Sequence, residues 1–174
     1  MSALRSFQKT LPGRVAILLL VALSIGGIWL AKQRQKALEE NAVTLHVTSA
    51  KDLAAALGSG LPVVIDFGAD SCAPCREMAP VLEELNRTLQ GKAVIRFVDV
   101  WKYPDLVKDY PLRVIPTQFF FDRDGKPFKP SDARFRMILY ADKDSRQHAF
   151  TAHEGGMTRE QLLAVLEEMG VQVD

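Results

Sequence analysis

The feature that most constrains this chain is the stretch 63–80, VVIDFGADSCAPCREMAP, which contains both cysteines of the protein. A run of β-branched residues leads into a short loop, Cys72 and Cys75 stand three positions apart, and a helical pattern begins at the second of them. A thiol at the amino terminus of a helix lies beside unpaired N–H groups, which stabilise negative charge. This layout is typical of a dithiol redox site.

The two thiols are expected to play different parts. Cys72 is the predicted attacking thiol, because the helix amino terminus lowers its pKa, and Cys75, one helical turn along, is the predicted resolving thiol. Pro74 favours the start of the helix and stiffens the loop. Two cysteines are too few for a four-sulfur metal site, and the three histidines have no ligand-like spacing to them. We therefore expect a redox-active disulfide, Cys72–Cys75, and no metal or other cofactor.

Asp66 is the second chemical signal, because it stands inside the otherwise apolar run 61–67. Burial of a charged carboxylate is costly, so we expect its pKa to be raised and the group to exchange protons with a nearby thiol. The alternative is that Asp66 ends the strand or accepts backbone hydrogen bonds. The nearby cysteines favour the proton-exchange role.

Strand and helix patterns alternate after residue 43, which predicts an α/β fold. The apolar run 61–67 is typical of a central strand buried on both faces, and Pro80 is expected to kink the helix that follows the cysteines. The pattern weakens over 126–147, where residues 135–140 are interpreted as one added strand. Strands are predicted at 43–47, 61–67, 93–98, 118–121, 135–140 and 149–153, and helices after Thr48 or Ser49, after Cys72, over 104–110 and after Thr158.

The first 42 residues have a different composition. Residues 1–14 form a short basic tail, 15–31 carry no charge, and 32–42 form a polar linker to the domain 43–174. As a helix, the uncharged run would be about 26 Å long, near the lower limit for crossing a bilayer. We predict a transmembrane signal anchor, with the tail cytoplasmic and the domain periplasmic, on a single-pass inner-membrane protein. A cleaved signal peptide is the alternative, although Trp29 favours an uncleaved anchor.

The charge pattern gives no sign of a nucleic-acid partner. The chain has 22 basic and 21 acidic residues, interspersed, for a formal net charge of +1. A protein that binds a polyanion would normally show a basic excess or a basic stripe. We therefore expect no nucleic-acid binding.

Three motifs, in this order, make the chain resemble the thioredoxin superfamily. They are the strand end Asp66-Phe67, the motif Cys72-Ala73-Pro74-Cys75 running on to Pro80, and the later Ile115-Pro116-Thr117. The resemblance covers roughly residue 43 to the carboxyl terminus. The stretch 126–147 is longer than the simple family connection, so the resemblance implies an insertion there, either a partner-specific flap or an extra hairpin. It implies a thioredoxin fold, with a central mixed sheet flanked by helices.

The resemblance also implies a substrate site. The Ile115–Pro116 peptide should be cis and lie beside the dithiol, where the Ile115 backbone pairs with an extended substrate peptide. Three residues depart from the family pattern: Gly68 and Ser71 replace aromatic residues, and Phe97 replaces a lysine often found near the buried carboxylate. We expect an altered partner-facing surface and a less well paired Asp66. The implied motif and substrate-binding residues are Ala73, Pro74, Ile115, Pro116 and Thr117.

The predicted function is a membrane-tethered thiol–disulfide oxidoreductase. The Ala73-Pro74 pair is similar to that of reducing members, whereas oxidising members usually carry His in the motif. The resemblance implies that the protein takes electrons from a membrane thiol donor. It would pass them to protein disulfides in exported proteins or apocytochromes, as in cytochrome c biogenesis. A disulfide oxidase and a non-catalytic thioredoxin-like binding module are the alternatives, and copper delivery would need Met78, which the pattern places in the core.

Overall fold

The computed structural model describes residues 18–20, 22–29, 32, 44–131 and 135–173. The chain divides into two units, Met1–Glu39 and Glu40–Asp174. Residues 18–20 and 22–29 are helical. Within these described ranges, no helix has the length and apolar character needed to span a membrane. The predicted tail 1–14, residues 33–42 of the predicted linker and residues 15–17, 21, 30 and 31 of the predicted span lie outside the described residues.

The second unit has a five-stranded sheet with helices on both faces. The strand order is β2-β1-β3-β5-β4, where β1 and β2 are parallel and every other neighbouring pair is antiparallel. This confirms the predicted mixed sheet. The elements are α1 Ala50–Leu57, β1 Val63–Gly68, α2 Ala73–Thr88, β2 Val94–Asp99, a 3₁₀ turn Pro104–Leu106, β3 Thr117–Phe121, β4 Ile138–Ala141, β5 His148–Glu154 and α3 Arg159–Glu168.

The central strand β1 is buried along its whole length and separates two apolar cores. Its side chains alternate between the two faces of the sheet. Val64 joins one core with Leu82 of α2 and Leu166 of α3. Phe67 joins the other core, which includes Ala56 of α1. Asp66, two residues beyond Val64, therefore faces α2 and α3.

Caps confirm the predicted starts of α1 and α3. The Ser49 side chain accepts a hydrogen bond from Asp52 N, and Thr158 and Gln161 form a reciprocal capping box before α3. α2 continues through Pro80 to Thr88. The strands β1, β2, β3 and β5 lie within two residues of the predicted bounds.

Two predicted elements are wrong. In place of a strand over 43–47, residues 44–47 form one isolated bridge between His46 and Phe97, with backbone hydrogen bonds from Val47 N to Phe97 O and from Phe97 N to Leu45 O. In place of a helix over 104–110, the chain forms a 3₁₀ turn and further i→i+3 turns. The residue before a proline disfavours the α conformation, so Tyr110, which precedes Pro111, cannot easily continue a helix.

The added strand in the predicted insertion is shorter and later than expected. It is β4, Ile138–Ala141, rather than 135–140. Arg136 has a φ of 47°, which is incompatible with an extended strand and delays its start. Phe135 and Met137 instead pack against the core on the α2 and α3 side.

Candidate active site

The two cysteines form a disulfide at the amino terminus of α2. Cys72 is the N-cap residue of this helix, and its Sγ accepts a hydrogen bond of 3.4 Å from the N–H of Cys75. Cys72 is half-buried, whereas Cys75 is only 3% exposed. An incoming sulfur can therefore reach Cys72, while Cys75 is sheltered by the protein. Ala73 and Pro74 occupy the first two positions of the helix and are exposed.

A second loop lies directly beside the reactive sulfur. The Ile115–Pro116 peptide bond is cis, as the resemblance implied. Cys72 Sγ lies 4.0 Å from the Ile115 carbonyl oxygen. Thr117 Oγ1 donates a 2.8 Å hydrogen bond to the Val114 carbonyl, which fixes the loop at the start of β3. The structure thus brings the motif 115–117 next to the motif 72–75.

A shallow apolar groove continues from this loop along the surface. Its volume is about 340 Å³, and its lining includes Ile115, whose carbonyl oxygen lies beside Cys72. The Trp101 side chain is 70% exposed beside it and that of Val114 is 48% exposed, which is unusual for large apolar groups. The lining residues are Val100, Trp101, Pro104, Val107, Leu112, Arg113, Val114 and Ile115.

The loop before Cys72 is held by the Asp99 carboxylate. Asp99 accepts hydrogen bonds from the backbone N–H groups of Asp70, Trp101 and Lys102. Burial raises the pKa of Asp99, but these N–H groups and the Lys102 charge outweigh that effect, so its pKa is lowered. Asp70 also pairs with Lys102. The Asp99 carboxylate therefore fixes the loops at the carboxyl ends of β1 and β2 through these hydrogen bonds.

Asp66 is completely buried on the same face of β1 as the helix that carries the cysteines. Its Oδ1 accepts a 2.6 Å hydrogen bond from Gln118 Nε2, and its Oδ2 has no hydrogen-bond partner among the residues that the structure describes. Burial raises the pKa of Asp66 to about 7, although the Gln118 hydrogen bond opposes this shift. The carboxyl group can therefore accept or release a proton near neutral pH.

Gln118 and His153 are site residues that the sequence analysis did not identify. Gln118 is fully buried, and its Oε1 lies 3.2 Å from Nδ1 of His153. The only sequence signal was a polar residue in the apolar strand 118–121. Its partner in the sheet could not be known, because strand register is set by tertiary pairing.

Gly68 has a different role from the one its departure from the family pattern suggested. It is buried, not part of a partner-facing surface. A Cβ atom at this position would lie 2.8 Å from the Phe97 ring and 3.1 Å from Cys75 Sγ. Phe97 therefore fills the space that a side chain at position 68 would need. Ser71 is exposed beside Cys72. Of the two replaced aromatic residues, the one at position 71 is therefore the one that bears on the partner-facing surface.

Comparisons with known proteins agree with this geometry. The Thioredoxin family profile matches residues 44–142. The chain is 36% identical over 90 residues to thioredoxin from Mycobacterium bovis, covering 52% of this chain and 77% of that protein. It is also 37% identical over 87 residues to the bifunctional thioredoxin reductase/thioredoxin of Mycobacterium leprae, covering 50% of this chain. The chain spans only 19% of the length of that bifunctional protein.

A further relative and a solved structure that are similar to this chain are also thioredoxins. The chain is 37% identical over 71 residues to chloroplastic thioredoxin Y1 of Arabidopsis thaliana, covering 41% of each protein. A thioredoxin structure from Halobacterium salinarum matches 77% of this chain and 96% of its own, with a TM-score of 0.56 and 22% identity. At that identity the likeness shows the fold alone.

Proposed function

Because the chain belongs to the thioredoxin family, we propose that it is an oxidoreductase that reduces protein disulfides through Cys72 and Cys75. The observation that carries this proposal is the position of Cys72. Its half-buried sulfur caps α2, accepts the Cys75 N–H and lies beside the Ile115 backbone. A helix amino terminus stabilises a thiolate, and the thiolate is the nucleophile in disulfide exchange.

The reaction begins from the reduced dithiol. The Cys72 thiolate attacks one sulfur of a substrate disulfide, and the other substrate sulfur leaves as a thiolate. Cys75 then loses its proton and attacks Cys72 Sγ, which forms the Cys72–Cys75 disulfide and releases the second substrate thiolate. Two electrons pass from the dithiol to the substrate, and the two released thiolates take up two protons. A dithiol donor must then reduce Cys72–Cys75 again.

Asp66 is the base for the second attack. It lies on the α2 side of β1, where the Cys75 sulfur also lies near the Gly68 position. A carboxyl group with a pKa of about 7 can take the Cys75 proton at neutral pH and release it afterwards. A surface carboxylate, with a pKa near 4, would be a weaker base.

An extended protein segment is the substrate that best fits the surface. The backbone at Ile115 can pair with such a segment while its disulfide lies over Cys72. The groove next to Ile115 can then hold an apolar side chain of the same segment, against Trp101. These features support protein disulfides rather than small disulfides as substrates.

We propose that electrons flow from the dithiol to the substrate disulfide. A reductase is favoured by Ala73 and Pro74, which place no charged or titratable side chain between the cysteines. We expect the full chain, equilibrated with glutathione or dithiothreitol buffers, to have a midpoint potential near the thioredoxin value of about −270 mV. A value near about −120 mV, as in strong oxidases, would contradict a reductase and favour the alternative of a disulfide oxidase.

The amino-terminal unit supports a tether to a membrane. Residues 15–31 carry no charge, and the described large apolar side chains of this segment are between 59% and 72% exposed. We propose a single-pass signal anchor in the inner membrane with the thioredoxin-like domain on the periplasmic side. The side chains concerned are Leu18, Leu19, Leu20, Leu23, Ile25, Ile28 and Trp29.

Membrane fractionation of the expressed full chain tests the tether. We expect the protein to remain in the membrane pellet after alkaline carbonate extraction, and the double variant Leu23→Lys/Ile28→Lys to move to the supernatant. Each charge costs about 2.5–3.5 kcal/mol at the centre of a membrane helix. Leu139→Lys, at a 54% exposed position on β4, is the matched control and should stay in the pellet. A wild-type chain found in the supernatant would contradict the tether.

The tether suggests which partners the domain meets. We propose a membrane thiol protein as electron donor and exported proteins or apocytochromes as acceptors, in cytochrome c biogenesis or a related process. A Cys75→Ser chain expressed in cells should accumulate such proteins as mixed disulfides on Cys72. Recovery of cytoplasmic proteins alone would contradict the periplasmic location.

A further inference from the structure

Four side chains form a row across the sheet beneath α2 and α3. The strand register pairs Asp66 with Phe97 of β2 and with Gln118 of β3, and Gln118 with His153 of β5. Paired residues on neighbouring strands lie on the same face of a sheet. Val64 and Phe120, two residues away on their strands, lie in the core on that face. The row therefore contains three consecutive polar residues, Asp66, Gln118 and His153, inside an otherwise apolar layer.

Two hydrogen bonds connect these three residues. Gln118 Nε2 donates to Asp66 Oδ1 over 2.6 Å, and Gln118 Oε1 lies 3.2 Å from His153 Nδ1. An amide oxygen only accepts hydrogen bonds, so this contact is a hydrogen bond only when Nδ1 carries a proton. The direction of donation then runs from His153 through Gln118 to Asp66.

The direction of these two hydrogen bonds determines whether the ionised or the protonated form of Asp66 is favoured. An ionised carboxylate only accepts, so it requires the NH₂ end of Gln118. If His153 Nδ1 loses its proton, it becomes an acceptor, and Gln118 satisfies it by turning its NH₂ group towards the ring. The amide oxygen then faces Asp66 and favours the protonated carboxyl, which can donate to it.

We propose that His153 is a positioning residue that acts through Gln118 to keep Asp66 in the carboxylate form that accepts the Cys75 proton. The proposal rests on the disulfide exchange described above, where Asp66–COO⁻ and Cys75–SH become Asp66–COOH and Cys75–S⁻. A proton on Nδ1 of His153 favours the carboxylate, and by linkage a carboxylate at Asp66 favours that proton. The uncharged Gln118 thus transmits the presence of a proton on His153 Nδ1 to the buried base.

The surroundings of the row fit this role. His153 is half-buried, so it can exchange protons with water, whereas Asp66 and Gln118 are fully buried. Burial lowers the pKa of His153, and the Gly155 backbone and the Glu154 charge oppose this shift. Glu154 is itself held by Arg113 through hydrogen bonds of 2.7 and 2.8 Å.

Asp66 has a different environment. On the helix side of the row, Met78 Sδ lies 3.4 Å from Gln118 Nε2, and Cys75 Sγ lies near the Gly68 position. Phe97 lies on the β2 side of the row. Gln118 is therefore the group whose hydrogen bond lowers the pKa of Asp66.

Nuclear magnetic resonance titration of the full chain in detergent micelles tests the coupling. In the wild type, ¹⁵N shifts should show a proton on His153 Nδ1 wherever the ¹³C shift shows Asp66 as a carboxylate. In His153→Leu and Gln118→Leu, the Asp66 midpoint should rise by about half a pH unit or more, the equivalent of one hydrogen bond. The midpoint of the pH profile for disulfide exchange should rise with it.

Two further variants control for general effects of substitution. His153→Gln keeps a donor for Gln118 and should stay close to the wild-type midpoint. His148→Gln changes a histidine of the same strand that contacts Phe150 O and Thr151 Oγ1 instead, and should have no effect. The wild-type measurement needs no substitution, so it remains decisive if a variant does not fold.

The outcomes separate this inference from the proposed function. An Asp66 midpoint unchanged in both leucine variants, or an Nδ1 without a proton while Asp66 is charged, would overturn the role of His153. If the wild type reduces protein disulfides in that case, the proposed function stands without it. If the coupling is observed but the wild type reduces no disulfide, the proposed function is the part that fails.

Discussion

Replacement of Cys72 by serine is expected to lower the rate of protein disulfide reduction by about a thousandfold or more, because the reaction needs a thiolate at this position. A serine hydroxyl at the amino terminus of α2 remains protonated at neutral pH, and it cannot form a disulfide with the substrate. The helix cap is preserved, since serine is a favourable N-cap residue. The loss therefore reports on chemistry rather than on folding.

The measurement is the steady-state reduction of a small protein disulfide, with the chemical reductant dithiothreitol in excess. Thr88→Ala is the control, because Thr88 is exposed at the opposite end of the same helix from Cys72 and should leave the rate near the wild-type value. Thermal unfolding of both variants checks that the fold is intact. A Cys72→Ser protein that retains the wild-type rate would favour the non-catalytic binding module.

Replacement of Asp66 by asparagine is expected to stabilise the oxidised protein at pH 8 by up to about 4 kcal/mol. Burial raises the pKa of Asp66 from 3.8 to about 7 in the folded state, so ionisation at high pH favours the unfolded chain. The contribution of Asp66 to stability is fully present below about pH 4 and is lost as the pH rises through about 7. Asparagine has the same shape, keeps an acceptor for Gln118 and does not ionise.

Guanidinium unfolding at pH 4 and at pH 8 measures this effect. The gain in free energy of unfolding from Asp66→Asn should be large at pH 8 and small at pH 4. Asp144→Asn, at an exposed carboxylate, should give no such gain at either pH. Equal gains at the two pH values would contradict the raised pKa of Asp66.

The same variant is expected to be slower in exchange, because Cys75 then lacks its base. A buried charge that reduces stability and supports a reaction is a common compromise at active sites. Burial of Asp66 lowers the stability of the fold at high pH, but the same burial raises the pKa of this carboxyl to about 7, close to the pH at which it must accept a proton.

The sequence predicted the parts of the site that depend on local chemistry. Cys72, Cys75 and Asp66 stand in one strand-loop-helix segment, so their spacing alone places them near one another. The capping residues and the central strand are also local signals, and the structure has them. The cis peptide before Pro116 was implied by the resemblance to the thioredoxin superfamily and not by a local pattern.

The parts that the sequence did not predict depend on register and on contacts between distant strands. Gln118 and His153 become neighbours of Asp66 only through the pairing of β1, β3 and β5. The need for glycine at position 68 becomes visible in the structure, where the Phe97 ring from β2 occupies the space of a side chain. Alternation of apolar residues predicts a strand at 43–47, but it does not show how many residues pair with a neighbouring strand.

The resemblance between this chain and thioredoxins supports thiol–disulfide oxidoreductase activity, and the most direct test of our account is to trap its intermediate. The full Cys75→Ser chain should be mixed with a disulfide-bonded protein and analysed by mass spectrometry without reductant. The account predicts a stable adduct through Cys72, which cannot be resolved without the Cys75 thiol. No adduct with Cys75→Ser, or an equal yield of adduct through Cys75 in Cys72→Ser, would contradict the assignment of Cys72 as the attacking thiol.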